Sequence, residues 1–202
     1  MKLPKMRELA EAVKALMSRP YTSAFPRAPH VPHGNFRGQP KFDAQRCVGC
    51  LACEQVCPVD AIGHRDEVDG GAARRVMIHY TDTCIFCGCC EAACIADHLG
   101  IALSNDWELS FFDRTQSFET IEKELALCEI CGAVIACRDH LTWIAERVGE
   151  LEFSSPTLFH SRLRSMGVID DNLAAALSDR GRSDRAKILC ARCRRLTTLT
   201  TG

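Results

Sequence analysis

Aromatic residues are scarce, 6% of 202 residues, and neither sign of charge dominates, with 25 Lys and Arg against 26 Asp and Glu. A formal net charge of -1 leaves no global field to gather nucleic acid or an acidic membrane surface, which disfavours a dedicated polyanion binder. Long apolar runs are missing too. Nothing approaches the roughly 18 residues that span a bilayer, and the longest are short cysteine-containing stretches such as Cys131 to Cys137. At the N-terminus Lys2, Lys5, Arg7, Glu8, Glu11 and Lys14 break up the apolar stretch a signal peptide requires, so the expectation is a cytoplasmic chain, where disulfides are rare. Cysteine is what the chain has in excess, 14 residues. In a reducing compartment that load points to metal or redox chemistry.

Apolar residues recur every three to four positions through Leu3, Met6, Leu9, Ala10, Val13, Leu16 and Met17, the pattern of an amphipathic helix. Its apolar face could meet its own domain, a partner subunit or a membrane surface. Pro20, Pro26, Pro29, Pro32 and Pro40 keep the following segment extended. Residues 1–41 therefore read as a helix and an assembly strap. Residues 42–105 form a compact cysteine-rich unit, in which Val76, Ile78 and Tyr80 alternate with Met77 and His79 as in a half-buried strand, and Ile101-Ala102-Leu103 is its counterpart. Residues 106–202 read as a mainly helical extension, with helices over Ser117 to Leu127, Val134 to Val148 and Asn172 to Leu177, the last stopped by Gly181. The extension opens with an acid-rich segment, Asp106 to Glu129, and closes with a base-rich one that could pair with it. The fold class expected is α+β.

The cysteine-rich unit repeats itself. Cys47, Cys50, Cys53 and Cys57 recur at identical spacing as Cys84, Cys87, Cys90 and Cys94, and Pro58 completes a C-x2-C-x2-C-x3-C-P run. In that spacing three thiolates bind one iron–sulfur cubane and the fourth reaches a second. The ligand sets expected are Cys47, Cys50, Cys53 and Cys94 for one 4Fe-4S cluster, and Cys84, Cys87, Cys90 and Cys57 for the other. Thiolates suit the task because they are soft anionic donors to iron. Gly49 and Gly88 sit inside the ligand loops, where a missing side chain serves a tight turn and lets backbone N–H groups approach sulfur. Cys89 breaks the match between the runs and reads as a small buried neighbour, and Cys137 is also unassigned.

Cys128-Glu-Ile-Cys131 and Cys190-Ala-Arg-Cys193 are two C-x2-C knuckles, which present four thiolates tetrahedrally to zinc or to a single iron. Their separation exceeds the usual spacing, so free thiols, or a site in which Cys137 replaces one ligand, stay open. His98 and His140 lie nearest to cysteines but carry no metal assignment, since a lone histidine is more often solvated or packed.

With Cys84-Ile-Phe-Cys87-Gly88 opening its second half, the duplicated motif resembles the ferredoxin-like subunit shared by respiratory complex I and membrane-bound nickel–iron hydrogenases. Asn35-Phe36-Arg37-Gly38-Gln39-Pro40 and the later C-x2-C pairs make it similar to the formate hydrogenlyase branch. The resemblance covers Tyr21 to Leu103, and the tail only through its cysteines. It implies a two-cluster ferredoxin-like core that relays electrons between a further iron–sulfur or ferredoxin partner and a hydrogenase-like small subunit. It also implies a peripheral place on the inner face of the membrane, with the membrane arm reached through the complex and no catalytic site of its own. Ile95 departs from the proline that normally follows the fourth cysteine, and the connection from Cys94 to Ile101 is longer than that from Cys57 to Ile62. Two rival readings are a diffusible ferredoxin and a zinc-ribbon module binding nucleic acid through Arg192, Arg194 and Arg195. The second lacks interleaved aromatics.

Overall fold

The computed structural model describes residues 5–69, 72–168 and 187–199. The chain divides into two compact units, Met1–Phe36 and Arg37–Gly202. In the first, helix α1 (Met6–Met17) starts where the Glu8 carboxylate accepts the backbone N–H of Lys5 at 2.9 Å, and it ends at an extended Ser18 whose N–H donates to Lys14 O. The acid in the first turn and Lys14 in the last both suit the helix dipole.

In the second unit a short strand β1 (Pro40–Phe42) pairs antiparallel with β4 (Ile101–Leu103), so the two ends of the cysteine-rich segment meet. The pairing is extended by Gly38 N–H to Ser104 O and Ser104 N–H to Gln39 O, and a Cβ at Gly38 would collide with the backbone of Ser104 and Asp106. Arg37 to Gln39 thus belong to the core rather than to a strap, and the chain parts at residues 36 and 37, not at 41 and 42.

The larger sheet has four antiparallel strands in the order β2 (Ile62–Asp69), β3 (Ala72–Tyr80), β5 (Phe118–Leu127) and β6 (Val134–Cys137). Register places Arg75 between Asp66 and Lys123, Met77 between His64 and Ile121, and His79 between Ile62 and Glu119. These rows share one face because side chains of paired residues point the same way. That face meets the cysteine loops, and Met77 and His79 are fully buried. The more deeply buried face of β3 is therefore the one carrying 75, 77 and 79, the reverse of the alternation read from Val76, Ile78 and Tyr80. The core gathers Phe42, Cys53, Ile62, Met77, Cys90 and Ile101. Burying an aliphatic side chain such as Met77 or Ile101 contributes about 1.5–3 kcal/mol.

Two helical expectations are corrected. Phe118–Leu127 is a strand inserted between β3 and β6, and Val134–Cys137 is a strand that runs directly into helix α4 (Arg138–Val148). The reason is sheet completion: β3 has a second edge, and β5 satisfies its backbone groups while turning Ile121, Lys123 and Leu125 onto the cysteine loops. The expected boundary at residues 105 and 106 consequently separates no compact units, since β5 lies beside β3 in one sheet.

Two four-residue helices, α2 (Ala52–Gln55) and α3 (Cys89–Ala92), carry the ligand loops. Beyond α4, whose end is turned by Gly149 at φ 60, come a 3-10 turn (Gly149–Ser154) and α5 (Pro156–Ser165), opened by a proline at its first position. The last described element is α6 (Ala191–Leu199). The helix expected over residues 172–177 lies outside the described residues. The acids Glu122, Glu124 and Glu129 pair with Arg74, Arg138 and Arg164.

Candidate metal centres

The two cysteine runs fold alike. In each, the residue before the short helix takes a left-handed conformation, Leu51 at φ 68 and Gly88 at φ 81, and the last cysteine donates its N–H to the glutamate three residues back, Cys57 to Glu54 O and Cys94 to Glu91 O, both at 3.1 Å. Leu51 holds this conformation at a cost of about 1–2 kcal/mol. Such a turn aims successive thiols at one point.

Two cavities result. One is lined by Cys47, Cys50, Cys53 and Cys94. The other is lined by Cys57, Cys84, Cys87 and Cys90, with Cys89 as a fifth thiol. Each cavity therefore gathers three cysteines of one run and the last of the other. Between runs lies the apolar core of Ile62, Met77 and Ile101. Cys89 is exposed, not buried as expected.

Burial pushes the Cys53 thiol up to about 12 and Cys90 up to about 11, and it raises Cys47 and Cys84. Cys87 is lowered, first by the backbone N–H of Cys89, while its thiol partner Cys89 is raised. Apolar walls thus disfavour isolated thiolates, and a bound cationic centre makes their charge tolerable. Backbone donors await that charge: Ala61 N–H lies 3.2 Å from Cys57 Sγ and Phe86 N–H 3.4 Å from Cys84 Sγ. Four thiols around an apolar cavity, with amides aimed at sulfur, are a donor set that fits a 4Fe-4S cubane.

Side chains from outside the runs brace the loops, and the sequence reading did not single them out. Arg75, 8% exposed, forms a two-pronged pair with Asp66 at 2.7 and 2.8 Å and donates from Nη1 to Gly49 O at 3.0 Å. Asp66 is held below the usual carboxylate range first by that hydrogen bond. Lys123 donates to Ala44 O at 2.5 Å and to Asp139 at 2.9 Å. Cys137, fully buried, places its Sγ 3.5 Å from Gly49 O, and a Cβ on Gly49 would lie 2.5 Å from that sulfur. Arg37 donates to Cys87 O at 3.1 Å in the other loop. The signal that could have found Arg75 and Lys123 is their place in strands whose neighbours at even spacing are buried.

The tail cysteines also converge. Sγ atoms of Cys128, Cys131, Cys190 and Cys193 all lie within 4.8 Å of one another, with Cys131 and Cys190 3.7 Å apart. A tetrahedral zinc with Zn–S near 2.3 Å sets sulfurs ~3.8 Å apart, so the quartet is close to ligating geometry. Burial works to raise Cys128, but N–H groups of Cys190, Cys131 and Ile130 outweigh it and bring it to about 6, while Cys193, which shares its thiol hydrogen bond first with Cys131, rises to about 12. Cys137 packs against Gly49 of the first ligand loop and replaces none of the four. The quartet is backed by Leu189 and Ile135, and Thr157 Oγ1 donates to Leu189 O at 3.0 Å. His98 Nδ1 donates to Glu91 O, and His140 packs near Trp143 with the two rings tilted, so neither joins the tail quartet.

The 4Fe-4S binding domain family matches residues 40–63, which hold the first cysteine run. NADH-quinone oxidoreductase subunit I 2 of Geobacter metallireducens is 30% identical over 130 residues, covering 61% of this chain and 96% of that protein. The chain belongs to the subunit I family. Its members are iron–sulfur electron-transfer subunits working through 4Fe-4S clusters, and 4Fe-4S binding is a property of this subunit I chain as well. Formate hydrogenlyase subunit 6 of Escherichia coli is 29% identical over 131 residues, 64% of this chain and 70% of that one. Against NAD(P)H-quinone oxidoreductase subunit I of Gloeobacter violaceus, 29% identical over 99 residues, the match spans 48% of this chain and 46% of the relative's length. The kinship to both the quinone reductase and the formate hydrogenlyase branches agrees with the resemblance carried by the duplicated cysteine motif. Among the described residues, no helix is long and apolar enough to cross a membrane.

Proposed function

We propose that this subunit I chain is a two-cluster electron relay inside a membrane-associated complex of the hydrogenase type. The observation that carries the reading is the exchange of Cys57 and Cys94 between the two cavities. Cys47, Cys50, Cys53 and Cys94 would hold one 4Fe-4S cluster, and Cys84, Cys87, Cys90 and Cys57 the other, each supplying a one-electron carrier when bound. The chain's own part is to fix position and potential. Apolar residues keep water from sulfur, amides of Ala61 and Phe86 stabilise thiolate charge, and Arg75 and Lys123 hold the loop of the first quartet still.

Kinship with formate hydrogenlyase subunit 6 supports a hydrogenase-like small subunit on one side and an iron–sulfur or ferredoxin partner on the other, on the cytoplasmic face of the membrane. The quartet of Cys128, Cys131, Cys190 and Cys193 would hold zinc or one iron and serve structure, because four soft donors leave no open coordination position. A nucleic-acid role for the basic tail is disfavoured, since Arg194 is spent inside the fold on Thr157 Oγ1 and Lys187 O.

Cys57→Ser tests the exchange. The expected result is damage to the cluster of Cys84, Cys87 and Cys90 with the other EPR signal intact, and loss of the cluster of Cys47, Cys50 and Cys53 instead would overturn the ligand sets. Co-purification from native membranes tests the partners: subunits of a hydrogenase-type complex should elute with the chain, whereas recovery as a free monomer would favour a diffusible carrier.

A further inference from the structure

The cavity of Cys57, Cys84, Cys87 and Cys90 holds one thiol more than a cubane needs. The fifth, Cys89, is the first residue of α3. It is exposed, lines the same cavity and lies two residues from Cys87 on one ligand loop. The duplicated half is an internal comparison. Cys50-Leu51-Ala52-Cys53 and Cys87-Gly88-Cys89-Cys90 have the same left-handed turn and the same four-residue helix, so Ala52 occupies the position of Cys89. A thiol at this position is thus no requirement of the fold. Arg37, whose Nη1 is 3.1 Å from Cys87 O, brings positive charge to both Cys87 and Cys89.

We propose that Cys89 is a reserve iron ligand, able to take the iron position that Cys87 holds. The inference rests on the two-cluster reading. In the exchange the Cys87 sulfur–iron bond breaks and a Cys89 sulfur–iron bond forms. The proton of the Cys89 thiol passes to the departing Cys87 thiolate, and no electron is gained or lost. Because the two cysteines are two residues apart on one ligand loop and line one cavity, the exchange is local to that loop. The first cavity has no such reserve, because Ala52 offers no donor.

The test compares the full chain, reconstituted anaerobically, with Cys89→Ala, Cys87→Ala, the double variant and Cys50→Ala. The readouts are iron and sulfide content, EPR of the reduced and oxidised forms, and mass-spectrometric mapping of alkylated thiols. Parent, Cys89→Ala and Cys87→Ala should each hold about eight irons, and the double variant and Cys50→Ala about four. Alkylation should label Cys89 in the parent and spare it in Cys87→Ala. The cluster of Cys47, Cys50, Cys53 and Cys94 remains as the folding control in the Cys87 variants. Cys87→Ala with about four irons, with a three-iron cluster, or with a labelled Cys89 would overturn the proposal alone, as would a double variant that keeps all its iron. A parent chain with only about four irons would overturn the two-cluster reading with it.

Discussion

At Gly49 three constraints meet in one residue. Its φ is 70, its carbonyl accepts from Arg75, and the Cys137 sulfur occupies the space a Cβ would need. Gly49→Ala should therefore cost about 2 kcal/mol or more in strain and overpacking. The expected outcome is an iron content reduced from about eight to about four per chain, with the second cluster's EPR signal kept. Normal iron content in that variant would show that the loop can shift. His79 gives a second prediction at this scale. Both ring nitrogens are buried without a hydrogen-bond partner, and burial lowers its proton affinity. The unfolded chain then binds a proton that the folded chain refuses, so stability is lost as pH falls below the ordinary histidine value of about 6.5. His140 and His160 are lowered too, first by burial, and act in the same sense. His79→Leu should leave stability at pH 7.5 unchanged or higher and should flatten, without abolishing, the fall in urea midpoint between about pH 6.5 and 5.5. An unchanged pH slope would mean that His79 is protonated in the fold. These residues were illegible from sequence for a physical reason: cysteine ligands announce themselves by local spacing, whereas Arg75, His79 and Cys137 acquire their roles from partners 26 to 88 residues away or from burial alone.

Strand β5 shows how an element is misread. Phe118, Ile121 and Leu125 fall at helical spacing, and 121 and 125 also fit a strand, since four is an even step. Glu119 and Lys123 are the inward residues that complete the strand's alternation, and their polarity hid it. Lys123 is tolerated inside because Ala44 O and Asp139 accept its ammonium hydrogens, joining β5 to the first ligand loop and to α4. Lys123→Met removes both bonds and leaves Ala44 O without its ammonium donor. It should lower stability by about 2 kcal/mol, read as a lower urea midpoint with an unchanged slope. A midpoint equal to the parent's would show that the methylene stem, not the charge, does the holding. The paired ligand helices α2 and α3, in contrast, follow from the cysteine spacing, because ligation fixes the local turn that both halves share.

For the whole molecule, the duplicated cysteine motif made the 4Fe-4S identity and the α+β character legible, because both are written within about 50 residues of chain. The joining of core and extension into one sheet was not, since strand partners carry no mark of their pairing. That joining has consequences for truncation. Removal of residues 2–36 should leave both clusters in place and release the chain from its complex, whereas removal through Pro40 should also damage the clusters, because Gly38, Gln39 and Pro40 are bonded to the segment around Leu103. Equal iron contents for the two truncations would contradict this boundary. In the tail, Cys190→Ser should cost one equivalent of zinc or iron and expose the chain beyond Asp106 to protease, with both cubane signals unchanged. Full metal retention with an unaltered digestion pattern would rule that site out.

The central claim is that two 4Fe-4S clusters lie close together in one relay. Its most direct test is EPR of the full chain, reconstituted anaerobically and reduced in steps, alongside acid-labile sulfide analysis. Two neighbouring clusters give about eight sulfides per chain and, on full reduction, two signals broadened by mutual magnetic interaction. About four sulfides, or a single unsplit signal at full reduction, would contradict it.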